Sequence, residues 1–286
     1  MGSRSTNAVG REPATTQVGL AYCSYVTAFV EEHPEEVDFV EVPFERLRID
    51  PGCFAIAAKL PVVLHSASLS MAGVVDPPIG TTRQLATWVR KSRTPWLGEH
   101  LAFVTAPSPE GPAYDVGYTV APPFNDETLV RLVQNVHRYT RRLGVPVLLE
   151  NPPQYFETVG STMSQVELIA RLCATSPAVR LLLDLTHLQI TADNLGFDVR
   201  SALADLPLER VVEVHVSGIA QHGGVSWDDH AERAPANVFE LARIVATRAR
   251  VRAVTLEYNW SSRFSPKIVA QDLAALRDAF VTRCGP

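Results

Sequence analysis

The chain has 286 residues, 46% hydrophobic and 20% charged, and its 26 Lys+Arg against 31 Asp+Glu give a formal net charge of −5. A mean hydropathy of +0.04 and no apolar run near the roughly 18 residues of a spanning helix exclude a membrane protein, and the aliphatic content excludes a disordered one. The mild acidity argues against nucleic acid as a partner, and the length allows two domains or one α/β barrel of about 250 residues.

The N-terminal MGSRSTNAVGREPATT is polar, with no apolar stretch behind its arginines, so about the first 15 residues read as a disordered tail and 16–286 as one domain. The first apolar run is QVGLAYC from Gln17, followed by a short helical stretch over 24–33 and by VDFVEV from Val37. PVVLHS from Pro61, a helical stretch over 81–92 and the run after Trp96 come next. The Pro/Gly-rich stretch from Thr105 to Pro123 reads as a long loop. From Asn125 to Leu143, Leu129, Leu132, Val133, Val136 and Tyr139 recur at helical spacing, and Gly144 is a good helix terminator. PVLLENP from Pro146 precedes the capping box Ser164-Gln-Val-Glu167, which opens the next helix. VRLLLDLTH, a helix over 198–206, RVVEVHVSG, a helix over 236–248 and RAVTLEYN follow, and Ser265-Pro266 starts the last helix. Eight nearly continuous apolar strands alternating with helices predict a parallel sheet closed into a single-domain, TIM-like (β/α)8 barrel. A Rossmann sheet would need a G-x-G-x-x-G after its first strand, and the sequence has none. The cysteines Cys23, Cys53, Cys173 and Cys284 are scattered, as expected of a protein in the reducing cytoplasm.

A barrel places its active site at the C-terminal strand ends. Those ends carry His65, Glu99-His100, Glu150-Asn151, Asp184 with His187, His215 and Glu257, and the loop after the seventh strand adds Asp228 and His230. Five of the eight histidines therefore fall at strand ends or just beyond them. Any one such residue is unremarkable where a strand emerges into water. Together they converge on a mouth roughly 10 Å across, where the carboxylates would repel one another unless cations neutralise them. Imidazole and carboxylate without nearby thiolate suit iron, manganese or zinc, and so many ligands suit at least two metals. His33, His137 and His222 read as surface residues, His222 in a flexible QHGG loop. Trp96, Tyr118, Trp227 and Trp260 lie near the expected mouth.

In order along the chain, LPVVLHSASLS, WLGEHLAF, PPFNDETL, LLENPPQYF, STMSQVELI, LLLDLTHLQITADNLGFD, VVEVHVSG, WDDHAERAP and LEYNW resemble the multinuclear non-haem iron-dependent oxidative enzymes, over roughly residues 17 to 280. The resemblance implies a TIM-like barrel that holds two or three irons and uses O2 as co-substrate. Carried across motif by motif, it places metal ligands on His65, His100, Glu150, Asp184, His187, His215, Asp228, His230 and Glu257. Of these, His65, His100, Glu150, Asp184, His215 and Glu257 form the expected catalytic ring, with Glu41 or Glu45 behind the ligands or against substrate. The pattern departs from the family at Thr186-His187, at Ile219 and in AYCSY. The implied reaction is oxidation of a residue, frequently cysteine, in a ribosomally made precursor peptide or amino-acid-derived substrate, often with a small precursor-recognition protein as partner. The alternative is a non-redox divalent-metal enzyme of sugar isomerase or phosphodiesterase type. A sugar isomerase would want a lysine near the metals, and Lys59, Lys91 and Lys267 all fall in helices or their flanks.

Overall fold

Each of the eight Val/Leu-rich runs forms a strand in the computed structural model, which describes residues 15–108, 111, 113–259 and 265–280. The N-terminal segment 1–14, Trp260 and Cys284 lie outside the described residues. In chain order the elements are β1 (Gln17–Ala21), α1 (Val26–Glu32), β2 (Phe39–Pro43), α2 (Phe44–Ile49), β3 (Val62–Ser66), α3 (Ile79–Ser92), β4 (Leu97–His100), β5 (Phe103–Ala106) and β6 (Tyr114–Val120). Then come α4 (Asp126–Leu143), β7 (Val147–Glu150), α5 (Gln165–Thr175), β8 (Arg180–Asp184), α6 (Leu185–Leu195), α7 (Val199–Asp205) and β9 (Val211–Val216). The chain continues through β10 (Ile219–His222), β11 (Val225–Asp228), α8 (Ala236–Arg248), β12 (Ala253–Leu256) and α9 (Pro266–Phe280).

The strands close in the order β1-β12-β9-β8-β7-β4-β3-β2, every pair parallel. This is the expected single-domain (β/α)8 barrel. Helix ends follow their local chemistry. The Asn125 side chain accepts from Thr128 N, Gly144 closes α4 in the left-handed region at φ 76°, and Ser164 accepts from Glu167 N. Among the described residues no helix is long and apolar enough to cross a membrane.

Two apolar layers hold the barrel. The larger packs helices onto the outer sheet face; the smaller fills the barrel floor with Phe39, Val63, Trp96, Leu148, Leu182 and Ala253. Trp96 therefore belongs to this floor and not to the mouth, where the sequence placed it.

Two segments expected as loops are hairpins. Within the Thr105–Pro123 stretch, β6 pairs antiparallel with β5, and β10 pairs with β11 across the Gly223-Gly224 turn. Both turn glycines have positive φ, 61° and 81°, the backbone that a two-residue hairpin turn requires. The Gly-Gly pair between IAQH and VSWD was the available sequence signal. The second hairpin matters because Asp228 ends β11 and is thereby fixed beside the mouth.

Candidate metal centre

Side chains alternate along a strand, so residues two apart share the barrel interior. Above the apolar floor the alternation brings inward a middle layer of Glu41, Glu213 and Thr255, then an upper layer of His65, Glu150, Asp184 and His215 at the C-terminal ends. His65 gains room because its neighbour is Gly98, where an added Cβ would lie 2.7 Å from the imidazole Cδ2. No loop separates β8 from α6, so Asp184 caps the helix and His187 stands one turn above it.

All nine candidate ligands meet, and three adjoining groups take in all of them, with Glu150, Asp184 and His187 overlapping these as a further group and Glu41, Glu213 and His215 as another beneath. The first is His65, His100 and Glu150; the second Asp184, His215 and Glu257; the third His187, Asp228 and His230. Glu150 lies between them. Its Oε2 is 2.7 Å from His65 Nε2 and 3.4 Å from His100 Nε2, while Oε1 is 3.3 Å from His187 Nδ1 and 3.8 Å from His215 Nδ1. Glu257 Oε2 is 3.2 Å from His215 Nδ1 and 3.9 Å from His230 Nε2, so it reaches from the second group towards the third. Asp228 Oδ1 and Oδ2 contact His230 Nε2 at 3.2 Å and His187 Nε2 at 3.4 Å.

The donor set fits cations. Several candidate ligands have one polar atom held by the protein and another left bare. Asp184 Oδ1 accepts from His187 N, and His187 Nδ1 meets Asn151 O at 2.9 Å. His100 Nδ1 and Asp184 Oδ2 are buried without a hydrogen-bond partner, and His187 Nε2 and His215 Nδ1 make no well-aligned hydrogen bond but face Asp228 Oδ2 at 3.4 Å and Glu257 Oε2 at 3.2 Å. Buried polar atoms are almost always satisfied, and two unpartnered atoms beside two imidazole nitrogens that meet only carboxylates are what a cation-binding ring presents. Nitrogen and oxygen donors together suit iron, manganese or zinc. Cys23, just beyond the end of β1, lines the cavity but belongs to none of the three groups.

The electrostatics show the same deficit of positive charge. Burial disfavours a charged His65, yet the Glu150 carboxylate pushes it up to about 10, and against the same burial Asp228 and Glu257 push His230 up to about 9. Burial raises Asp184 to about 6, and burial with the neighbouring Glu45 raises Glu99 to about 8. Despite its burial, Glu257 is held down at about 2 by His215 and His230.

Without metal, the folded protein thus binds protons at His65, His230 and Glu99 more tightly than the unfolded chain does. The resulting stability is complete below the ordinary values of 4.5 for the carboxyl and 6.5 for the imidazoles, and is lost as pH rises through about 8, 9 and 10. Calorimetry of the chelator-treated protein is expected to show Tm falling from pH 6.5 towards 10. Added metal must displace the protons on His65 and His230, so the Tm rise it produces should grow as pH rises towards about 9 and 10, while the Glu99 part of the fall is the same with and without metal. A Tm that metal does not raise at any pH would mean that His65 and His230 do not belong to one ion-binding ring.

Around the groups, a cavity of about 570 Å³ opens between the strand ends and the hairpins, reaching Tyr22, Arg46 and Tyr118. Tyr155 stacks on the half-exposed Trp227 at 4.5 Å between ring centroids, forming an aromatic rim beside Asp228. Glu99 turns away from the groups and accepts from Leu69 N and His100 N, shaping the β3 and β4 ends. Glu45 accepts from Ala67 N and borders the cavity, whereas Glu41 is buried beneath His215. Nothing in the sequence singled out Glu213, although a glutamate with valines on both sides inside a strand was a sign of an inward polar group. His137 meets Ser176 Oγ at 3.0 Å, His33 stacks on Phe29, and the exposed His222 ends β10, all remote from the groups.

Residues 17–278 match the family described as RiPP precursor modification enzyme MbnB/TglH/ChrH. A UPF0276 protein of Caulobacter vibrioides is 28% identical over 235 residues, covering 80% of this chain and 82% of the relative. The UPF0276 protein Anae109_1558 of an Anaeromyxobacter species is 30% identical over 256 residues, covering 87% and 86%. A Streptomyces avermitilis relative, 28% identical, is matched over 93% of this chain but 55% of its own length. Among solved structures, endonuclease IV from Thermus thermophilus superposes with a TM-score of 0.54 at 19% identity, covering 92% of this chain and 98% of the other. The D-psicose 3-epimerase of Clostridium cellulolyticum gives 0.52 at 14% identity, with the same coverage. These two likenesses are of fold.

Proposed function

The chain belongs to the MbnB/TglH/ChrH family of RiPP precursor modification enzymes, and from that premise we propose that it is a multinuclear non-haem iron, O2-dependent oxidoreductase acting on a ribosomally made peptide. The target residue is frequently cysteine in such a reading, and an amino-acid-derived substrate fits the same chemistry. The observation that carries the proposal is the bridging position of Glu150, one oxygen towards His65 Nε2 and His100 Nε2 and the other towards His215 Nδ1. A shared carboxylate between nitrogen-rich groups suits two or three irons held close together.

In this reading His65, His100, Glu150, Asp184, His187, His215, Asp228, His230 and Glu257 hold the metals. Iron there supplies one-electron exchange with O2. The protein's own part is positional: the ring fixes the metals in register, and the 570 Å³ cavity admits a peptide side chain beside them. Tyr118 and the Tyr155–Trp227 stack offer flat apolar contact to the flanking peptide. A small precursor-recognition protein as partner and a cytoplasmic location complete the proposal.

The test is metal analysis with Mössbauer and EPR spectroscopy on anaerobically purified protein, followed by O2 uptake when a cysteine-containing precursor peptide is added. Two or three irons per chain and peptide-dependent O2 consumption are expected. Recovery of zinc alone, with full peptide processing and no O2 uptake, would overturn the iron assignment in favour of a non-redox metalloenzyme.

A further inference from the structure

The interior of a (β/α)8 barrel is normally filled by layers of branched apolar side chains. Here the layer beneath the candidate metal centre is polar and closed on itself. Glu41 and Glu213 are 1% and 0% exposed, and Thr255 is 0% exposed. The indole N–H of Trp96 donates to Glu213 Oε2 at 2.6 Å, and the Thr255 hydroxyl donates to Glu213 Oε1 at 3.0 Å, with Glu41 Oε2 3.5 Å away. Glu41 Oε2 in turn lies 3.0 Å from His215 Nε2.

The chain of contacts therefore runs from the barrel floor to one imidazole and stops there. On the other side of that ring, Nδ1 faces Glu257 Oε2 at 3.2 Å and Glu150 Oε1 at 3.8 Å.

We infer that Glu41 is a positioning residue: anchored through Glu213, Thr255 and Trp96, its carboxylate holds His215 as the Nε2–H tautomer and so presents Nδ1 to the metal. The inference rests on the reading of the ring as metal-binding. Stability alone gives no reason for these groups, because replacing buried charged sets with packed apolar residues is commonly neutral or stabilising. A carboxylate behind a ligating histidine fixes ring orientation and raises its basicity, and losing such a partner typically costs about 10–100-fold in metal affinity.

Two measurements test it. In zinc-loaded, diamagnetic wild-type protein, 15N NMR of the histidine rings should show His215 protonated at Nε2 and unprotonated at Nδ1. The opposite tautomer would overturn the inference without any variant being made. Anaerobic Fe(II) titration against a chromophoric chelator should show Glu41→Ala weakened about 10–100-fold, with an altered Mössbauer quadrupole doublet. Glu41→Gln, whose amide oxygen still accepts from Nε2–H, should recover most of the affinity. A folded Glu41→Ala protein with wild-type affinity and an unchanged spectrum would remove Glu41 from this role. If wild-type protein binds no transition metal at all, it is the underlying metal reading that fails.

Discussion

On the proposed reading, Glu150→Ala is expected to empty the metal centre and to destabilise the metal-free protein as well. The side chain is 1% exposed and lies within 4 Å of four imidazoles. Against its burial, which acts in the opposite sense, His100, His65 and His187 hold its carboxyl well below the usual range. Removing it takes a shared ligand from two groups at once. Metal affinity should therefore fall by more than the ~100-fold that marks the upper end for residues behind the ligands. In the metal-free state the loss leaves His65 and its neighbours buried without their counter-charge, a change that costs about 3–5 kcal/mol when one half of a buried pair is removed. Glu150→Gln keeps the shape and removes the charge, so it should retain more packing but little more iron. Elemental analysis and calorimetry on both variants check this. Full iron content with an unchanged Tm would take Glu150 out of the ring.

The reach of that one residue explains why the centre was partly legible in the sequence. Every candidate ligand ends an apolar run or follows one closely, and barrel closure brings such ends together whatever lies between them. His65, Glu150, Asp184, His215 and Glu257 needed only the strand pattern and that rule. The partition into three groups depends on register and on α6 starting directly at Asp184, which no local pattern reveals. The polar layer was harder to read for another reason. Runs such as VVEVHV are apolar on both faces, which hides the alternation that would have turned Glu41 and Glu213 inward. The hairpin carrying Asp228 was missed because Gly223 and Gly224 resemble flexible loop residues until their positive φ is seen to serve a two-residue turn.

The net charge takes on a different meaning once these residues are placed. Part of the −5 comes from Glu150, Asp184, Asp228 and Glu257, which face five imidazoles in the mouth instead of water. Such a ring holds together only with protons or metal between its members. That is why the same side chains are expected to set both the pH response and, on the proposed reading, the metal response of the fold.

The third group should be separable from the rest by a substitution that touches no candidate ligand. Gly218 follows β9, and the segment bearing Asp229 and Glu232 crosses directly over its Cα. A Cβ there would lie 1.9 Å from Glu232 O, 2.4 Å from Glu232 C and 2.6 Å from Asp229 O, all backbone atoms. Backbone cannot rotate aside as a side chain can, so Gly218→Ala must displace the segment that holds Asp228 and His230. That segment is also tied by Asp229 N to Gly218 O at 3.3 Å and by Asn259 N to His230 O at 2.8 Å. The expected cost is about 1–3 kcal/mol, the usual range for overpacking. With metal bound as proposed, it should be lost from the His187–Asp228–His230 group and kept at the His65–His100–Glu150 group. Gly80→Ala is the matching control: nothing lies within 4 Å of its Cβ, and it sits in α3. There alanine should be neutral or stabilising by up to about 1 kcal/mol. Iron counted per chain and resolved by Mössbauer spectroscopy distinguishes the outcomes. If Gly218→Ala leaves every iron in place, the crossing segment does not set the geometry of Asp228 and His230. If it empties all of them together, the three groups behave as one cooperative centre held by Glu150 and Glu257.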